Sequence, residues 1–131
     1  MWLVDTSVWI EVFRRPSRFE LGSVADLDEL VTCLPVIQEV LQGFLEEHAF
    51  RIAREAMFAL PILEATLTRE VFEEAAQLYR SARWAGITVR SGVDCLIASC
   101  AIRHGIPVLH YDRDFALLAR VSSLKERRIS L

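Results

Sequence analysis

The feature that most constrains the fold is a regular alternation of short apolar runs with longer amphipathic stretches. The runs at 2–4, 30–34 and 107–111 have the length and composition of buried strands. Each is followed, after a short link, by a segment with helical spacing of its apolar residues. Strands that alternate with helices in this way favour a three-layer α/β/α sandwich with a mainly parallel central sheet.

Boundary signals place the helices between these runs. Pro35 opens a helix after the second strand, Thr68 is a candidate N-cap, and Gly86 and Gly105 are stop signals. Weaker strands are predicted at 62–65 and, at the sheet edge, at 127–131. The predicted helices are 6–14, the segment from 35 that carries apolar residues 36, 37, 40, 41 and 44, and then 47–59, 68–85, 91–104 and 112–120.

Length and composition indicate one buried core. A chain of 131 residues that is 53% hydrophobic predicts a single domain over residues 1–131. No apolar run approaches the roughly 18 residues of a membrane span. The segment 1–5 lacks the basic region and apolar stretch of a signal peptide, so we expect a cytoplasmic protein without membrane contact.

Cysteine and charge exclude other classes. An odd number of cysteines without a CxxC pair argues against a disulfide scaffold, and scattered histidines argue against zinc. We therefore expect buried thiols that pack as small hydrophobes. A net charge of −3 gives no overall basic surface of the kind that binds nucleic acid passively.

Acidic residues follow two of the predicted strands. Asp5 comes directly after the first strand, and Asp112 and Asp114 come after the strand 107–111. The carboxyl ends of parallel strands meet at one edge of a sheet, where sites of such folds form. Asp94 lies in the first turn of the helix 91–104, which we expect to begin at the same edge.

Carboxylates gathered in this way repel one another unless a cation joins them. Oxygen ligands without histidine or cysteine suit Mg²⁺ or Mn²⁺. Such ions lower the pKa of bound water and stabilise the oxygens of a phosphodiester, so the pattern indicates hydrolysis of a nucleic-acid backbone.

Each acidic residue also has a structural interpretation. Asp5 could simply cap the first helix, Ser91 and Asp94 fit a capping box, and Asp112 or Asp114 could cap the last helix. Glu39, at the flank of an apolar helix face, could be an ordinary solvated side chain. Capping and metal binding are compatible roles for one aspartate.

Three segments resemble the signature segments of PIN-domain ribonucleases, and more narrowly those of VapC-type toxins of bacterial and archaeal toxin–antitoxin systems. They are Leu-Val-Asp-Thr-Ser-Val-Trp-Ile at 3–10, Arg-Ser-Gly-Val-Asp-Cys-Leu-Ile-Ala at 90–98 and His-Tyr-Asp-Arg-Asp-Phe at 110–115. The resemblance covers nearly the whole chain and implies a Rossmann-like α/β/α sandwich. One departure is Gly92, where threonine or proline is commoner and where glycine frays the helix start slightly.

The resemblance also implies the site of a Mg²⁺- or Mn²⁺-dependent endoribonuclease. By position, the catalytic and metal-binding residues are Asp5, Glu39, Asp94 and Asp112. Two accessory residues are implied as well: Asp114 shares or replaces the role of Asp112, and Thr6 steadies Asp5 or a bound water.

The resemblance further implies three partners: an RNA substrate, a cognate antitoxin and a second copy of the chain in a homodimer. The antitoxin would bind the groove near the first helices, with Trp9, Val12 and Phe13 as candidate contacts or as core residues. Arg90 and Arg113 flank acidic segments and could hold substrate phosphates, neutralise the cluster or lie in solvent.

Two other functions stay open at this point. An aspartyl phosphatase also begins with an aspartate after its first strand, but it usually needs a second acidic residue where this chain has Ser7, and the only lysine is Lys125. A non-catalytic binding module of the same fold would have lost the acidic residues, all of which are present.

Overall fold

The computed structural model describes residues 1–131 and contains five strands and six helices. Two short 3₁₀ turns, Leu21–Ser23 and Leu27–Glu29, precede the second strand. The elements in chain order are β1 Trp2–Val4, α1 Thr6–Phe13, β2 Leu30–Cys33, α2 Leu34–Leu41, α3 Glu47–Phe58, β3 Ile62–Leu63, α4 Arg69–Trp84, α5 Gly92–His104, β4 Val108–His110, α6 Arg113–Ala119 and β5 Glu126–Arg128.

All strand pairs are parallel, in the order β3-β2-β1-β4-β5. The chain moves from β1 through β2 to β3, and then crosses back to β4 on the other side of β1. Because crossovers between parallel strands are right-handed, this reversal puts helices on both faces of the sheet. The α/β sandwich predicted from the sequence is confirmed.

The central strands are apolar because both of their faces are covered. Leu3, Val31, Val108 and Leu109 are completely buried and belong to one continuous core of buried apolar side chains. The three cysteines are buried and free, as expected. None of the six helices combines the length and hydrophobicity needed to cross a bilayer.

Several element boundaries differ from the predicted ones. The helix α2 ends at Leu41 because the chain turns tightly through Gly43, so Phe44 lies beyond it and packs edge-on against Phe13. The edge strand ends at Arg128, since its partner β4 has only three residues to pair with. Thr68 stands at the N-cap of α4, but its hydroxyl makes no capping hydrogen bond.

Candidate active site

The neighbouring strands β1 and β4 bring two acidic segments to one edge of the sheet. The backbone N–H of Asp5 donates a 2.9 Å hydrogen bond to the carbonyl of Leu109, one residue before the end of β4. Asp112 follows that strand two residues after His110. The order of strands reverses between β1 and β4, which is where parallel sheets open a crevice.

Asp94 reaches the same edge from the first turn of α5. Single carboxylate oxygens of Asp94, Asp112 and Asp114 all lie within 4.8 Å of one another. α5 begins at this edge because α4 and α5 form a closely packed hairpin joined by the short segment 85–91. The expected meeting of Asp94 with the residues after β4 is therefore present.

Asp5 caps α1 with one carboxylate oxygen and leaves the other without a partner. Its Oδ2 accepts hydrogen bonds from the Ser7 backbone N–H at 3.0 Å and from the Ser7 hydroxyl at 2.6 Å. Its Oδ1 is buried and has no partner. Burial raises the pKa of Asp5, and the charge of Asp112 adds to that effect.

Glu39 is half-buried beside this group and is not free in solvent. Its Oε1 accepts a 2.9 Å hydrogen bond from the hydroxyl of Thr6. Burial raises the pKa of Glu39, and so do the charges of Asp5 and Asp112. The Thr6 hydroxyl, which faces α2, thus holds Glu39, while Ser7 holds Asp5. That Thr6 also steadies a bound water stays a prediction.

The pKa of Asp94 is raised by burial and by all the other carboxylates of the group. Burial, followed by the charges of Asp5, Asp112, Asp114 and Glu39, raises its pKa to about 8. The capping box proposed for it is only half formed, since Ser91 Oγ accepts from the Val93 N–H but Asp94 does not return a bond to Ser91. The Asp94 carboxylate is therefore not engaged in capping α5.

Asp112 and Asp114 are tied to each other and to Arg90. Asp112 Oδ1 caps α6 by accepting from the Asp114 N–H at 3.0 Å, and also accepts from Arg90 Nη2 at 2.7 Å. Asp114 is completely buried, and its Oδ2 accepts from the backbone N–H and Nε of Arg90. Of the two readings of Arg90, the structure favours neutralisation of the cluster. Arg113 is mostly exposed, with its Nε 3.7 Å from Asp114.

Ser7 is the functional residue that the sequence reasoning missed. Besides holding Asp5, its hydroxyl accepts a 2.9 Å hydrogen bond from the backbone N–H of Tyr111, so it joins the ends of β1 and β4. A signal for it was present, because a serine two residues after an N-cap aspartate can bond that side chain.

The residues at this edge fit a hard divalent cation. Two of their oxygens, Asp5 Oδ1 and Asp114 Oδ1, are buried without a hydrogen-bond partner, which is costly unless a cation supplies one. The donors are carboxylate oxygens, and neither thiol nor imidazole is among them. A positive ion would also remove the repulsion that raises the pKa of Asp94.

Comparison of the sequence with known proteins gives a consistent result. The model of the PIN domain family matches residues 2–121. The chain is 38% identical to VapC ribonuclease Mb1587 of Mycobacterium bovis and to ribonuclease VapC11 of Mycobacterium tuberculosis, in each case over 95% of this chain and 96% of the relative.

Comparison of the fold with solved structures agrees with the sequence comparison. The VapBC2 structure from Rickettsia felis, bound to a DNA fragment from its promoter, matches with a TM-score of 0.78 over 98% of both chains, at 13% identity. The VapBC-5 structure from Mycobacterium tuberculosis matches with a TM-score of 0.72 over 97% of both chains, at 21% identity. This chain therefore belongs to the PIN-domain family and, within it, to the VapC ribonucleases.

Proposed function

We propose that this protein is a Mg²⁺- or Mn²⁺-dependent endoribonuclease and the toxin of a toxin–antitoxin pair, with residues 1–131 forming one nuclease domain. The observation that carries the enzymatic proposal is the acidic cluster. Asp94, Asp112 and Asp114 converge within 4.8 Å, and Asp94 carries a pKa of about 8. Membership of the VapC ribonucleases supplies the substrate class, which is RNA.

In this proposal Asp5, Glu39, Asp94 and Asp112 hold the ion, and Asp114 is an accessory ligand. Asp5 offers its unpaired Oδ1, while Ser7 fixes the other oxygen of the same carboxylate. When bound, such an ion lowers the pKa of water and offsets the negative charge on the oxygens of a phosphodiester.

The side chains around the ion have separate roles. Thr6 holds one oxygen of Glu39, and the second oxygen would be left for the ion. Arg90 offsets the charges of Asp112 and Asp114 before substrate arrives. Because its side chain is half exposed, Arg90 can turn toward a substrate phosphate once a cation neutralises the carboxylates, and Arg113 is a second phosphate-binding candidate.

The test replaces Asp94 by Asn and measures Mn²⁺-dependent cleavage of a total RNA preparation. We expect cleavage to be lost and the melting temperature without metal to be unchanged or higher, since a repelled carboxylate has been removed. Asp28→Asn, an exposed aspartate outside the cluster, is the matched control and should cleave like the parent. Full activity of Asp94→Asn would refute its assignment as a ligand.

A groove between α1 and α2 supports the second half of the proposal. It has a volume of about 330 Å³, and Glu39 of the acidic site is one of its lining residues. Trp9 is buried and belongs to the core, so the predicted contact through that residue is replaced by Ile10, which is half exposed. The other residues lining the groove are Phe13, Arg14, Val40, Gly43 and Phe44.

We propose that an antitoxin segment fills this groove with apolar side chains and directs a basic side chain toward Glu39. Co-expression with the protein encoded in the neighbouring open reading frame tests this. Ile10→Asp should abolish co-purification and retain RNA cleavage, whereas Ile52→Asp, on the exposed face of α3, should retain both. Retention of the partner by Ile10→Asp would place the contact elsewhere. The predicted homodimer stays a prediction.

The phosphatase alternative fits this geometry poorly. The position that would need a second acidic residue is Ser7, and its hydroxyl is engaged by Asp5. The carbonyl of Lys125 accepts a hydrogen bond from the backbone N–H of Val108 at the start of β4. The only lysine of the chain therefore lies at the opposite end of the sheet from the acidic cluster.

A further inference from the structure

Beside the acidic cluster lies an exposed pair formed by an aromatic ring and an arginine. Tyr111 directly precedes Asp112, and the residue is 37% exposed. The guanidinium carbon of Arg128 lies 5.1 Å from the centre of the Tyr111 ring. The sheet holds both residues in place, because Arg128 pairs with His110 at the carboxyl end of β4.

Tyr111 is rigidly connected to the site. Its backbone N–H donates to the hydroxyl of Ser7, which in turn donates to Asp5. The backbone of Tyr111 is therefore tied to the residue that holds Asp5, and Tyr111 directly precedes Asp112.

Arg128 is the arginine of this region that no carboxylate engages. Arg18 is held by both carboxylate oxygens of Glu11, and Arg90 is held by Asp112 and Asp114. Arg128 is exposed and forms no salt bridge, so its charge is available to an anion from outside. In a protein of net charge −3, a free cation beside an acidic site favours an anionic partner.

We propose that Tyr111 and Arg128 form a substrate subsite, in which an unpaired base of the RNA stacks on the Tyr111 ring and the adjoining phosphate binds Arg128. Aromatic rings stack on any base, and arginine binds phosphate through two parallel hydrogen bonds. The subsite requires a single-stranded nucleotide, since the faces of paired bases are covered by their neighbours. This inference rests on the proposed ribonuclease function and adds where the RNA is held.

The chain contains a matched control next to Arg128. Successive residues of a strand point to opposite faces of the sheet. Arg127 accordingly lies over Trp2, with its guanidinium carbon 5.9 Å from that ring, and not beside Tyr111. Arg127→Gln removes the same charge from the same strand without touching the proposed subsite.

The experiment measures two quantities for the intact protein with Mn²⁺. The first is KM and kcat for RNA cleavage. The second is binding of a fluorescein-labelled single-stranded RNA of random sequence, about 12 nucleotides long so as to exceed one site, in an Asp94→Asn background that does not cut it. The variants are Tyr111→Ala, Tyr111→Phe, Arg128→Gln and Arg127→Gln.

We expect Tyr111→Ala and Arg128→Gln each to weaken binding and to raise KM on the order of tenfold, with kcat retained. Tyr111→Phe and Arg127→Gln should behave like the parent. Only Arg128→Gln should reduce the slope of log affinity against log salt concentration, by about 0.7 for one phosphate contact. If Tyr111 and Arg128 had only a structural role, Tyr111→Ala and Arg128→Gln would not differ in the salt dependence of RNA binding.

The outcomes separate this inference from the proposed function. If the parent cleaves RNA but Tyr111→Ala and Arg128→Gln have the same KM as Arg127→Gln, the subsite is refuted and the ribonuclease function is not. Equal affinity for the single strand and for a duplex of the same length would also overturn it. Wild-type protein that binds the RNA with these dependences and yet does not cut it would support the subsite and refute the ribonuclease.

Discussion

The hydroxyl of Thr6 donates a 2.9 Å hydrogen bond to Glu39, and this bond joins the first turn of α1 to α2 beside the acidic cluster. It fixes one oxygen of a carboxylate whose pKa is raised by burial and by its acidic neighbours. Thr6, for which the family resemblance implied a bond to Asp5 or a bound water, thereby orients a different proposed metal ligand.

Replacing Thr6 by Val should weaken Mn²⁺ binding about tenfold or more, because Glu39 loses the partner that orients it. Thr6→Ser keeps the hydroxyl and should restore most of the affinity. Isothermal titration with Mn²⁺ measures both variants. Equal affinities of Thr6→Val and the parent would show that Glu39 does not need this bond or does not bind the ion.

Ser7→Ala removes two hydrogen bonds at once, one to Asp5 and one from the backbone of Tyr111. We expect the free energy of unfolding to fall by about 1–3 kcal/mol, since buried polar groups lose their partners. Chemical denaturation measures this change, with Ser23→Ala, whose exposed hydroxyl bonds only a neighbouring carbonyl, as the control. A loss no larger than that of the control would contradict the role given to Ser7.

Asp94 should make the stability of the metal-free protein decrease as the pH rises. Below its ordinary pKa of 3.8 the carboxyl is protonated in both folded and unfolded chains, and above about 8 it is ionised in both. Between these values the unfolded chain ionises while the folded chain keeps the proton, so the free energy of unfolding falls by at most about 1.4 kcal/mol per pH unit.

Thermal denaturation in EDTA across this pH range checks the prediction. Asp94→Asn should remove the part of the slope that Asp94 contributes, and an unchanged slope would refute the raised pKa. In the parent, Mn²⁺ should raise the melting temperature more at high pH than at low pH, because the ion must displace the proton on Asp94.

Arg90→Gln should destabilise the metal-free protein, because Asp112 and Asp114 lose the guanidinium that bridges them. Added Mn²⁺ should recover much of the loss, since the ion supplies positive charge to the same carboxylates. Arg113→Gln, at 3.7 Å from Asp114, should have little effect. Melting temperatures with and without Mn²⁺ measure the difference, and an equal loss in both conditions would mean that Arg90 acts by packing alone.

The sequence was sufficient for the fold class, and it predicted which acidic residues stand at the ends of the first and fourth strands. Strand and helix alternation is a local property, and so is the place of Asp5 and Asp112 directly after apolar runs. Boundaries were less predictable, as at Phe44, because a helix ends where its hydrogen bonds stop and apolar spacing continues past that point. The 3₁₀ turns before β2 carry no periodic signal.

The amino-acid sequence by itself determined which elements form and which side chains stand at their ends, because periodicity and capping act over a few residues. Only the tertiary structure decided which side chains meet: Thr6 with Glu39, Ser7 with Asp5, and Arg90 with Asp112 and Asp114. These contacts depend on strand order and helix rotation, which are fixed when the whole core packs. The raised pKa of Asp94 has the same origin, since burial and the charges of residues distant in the chain act on it together.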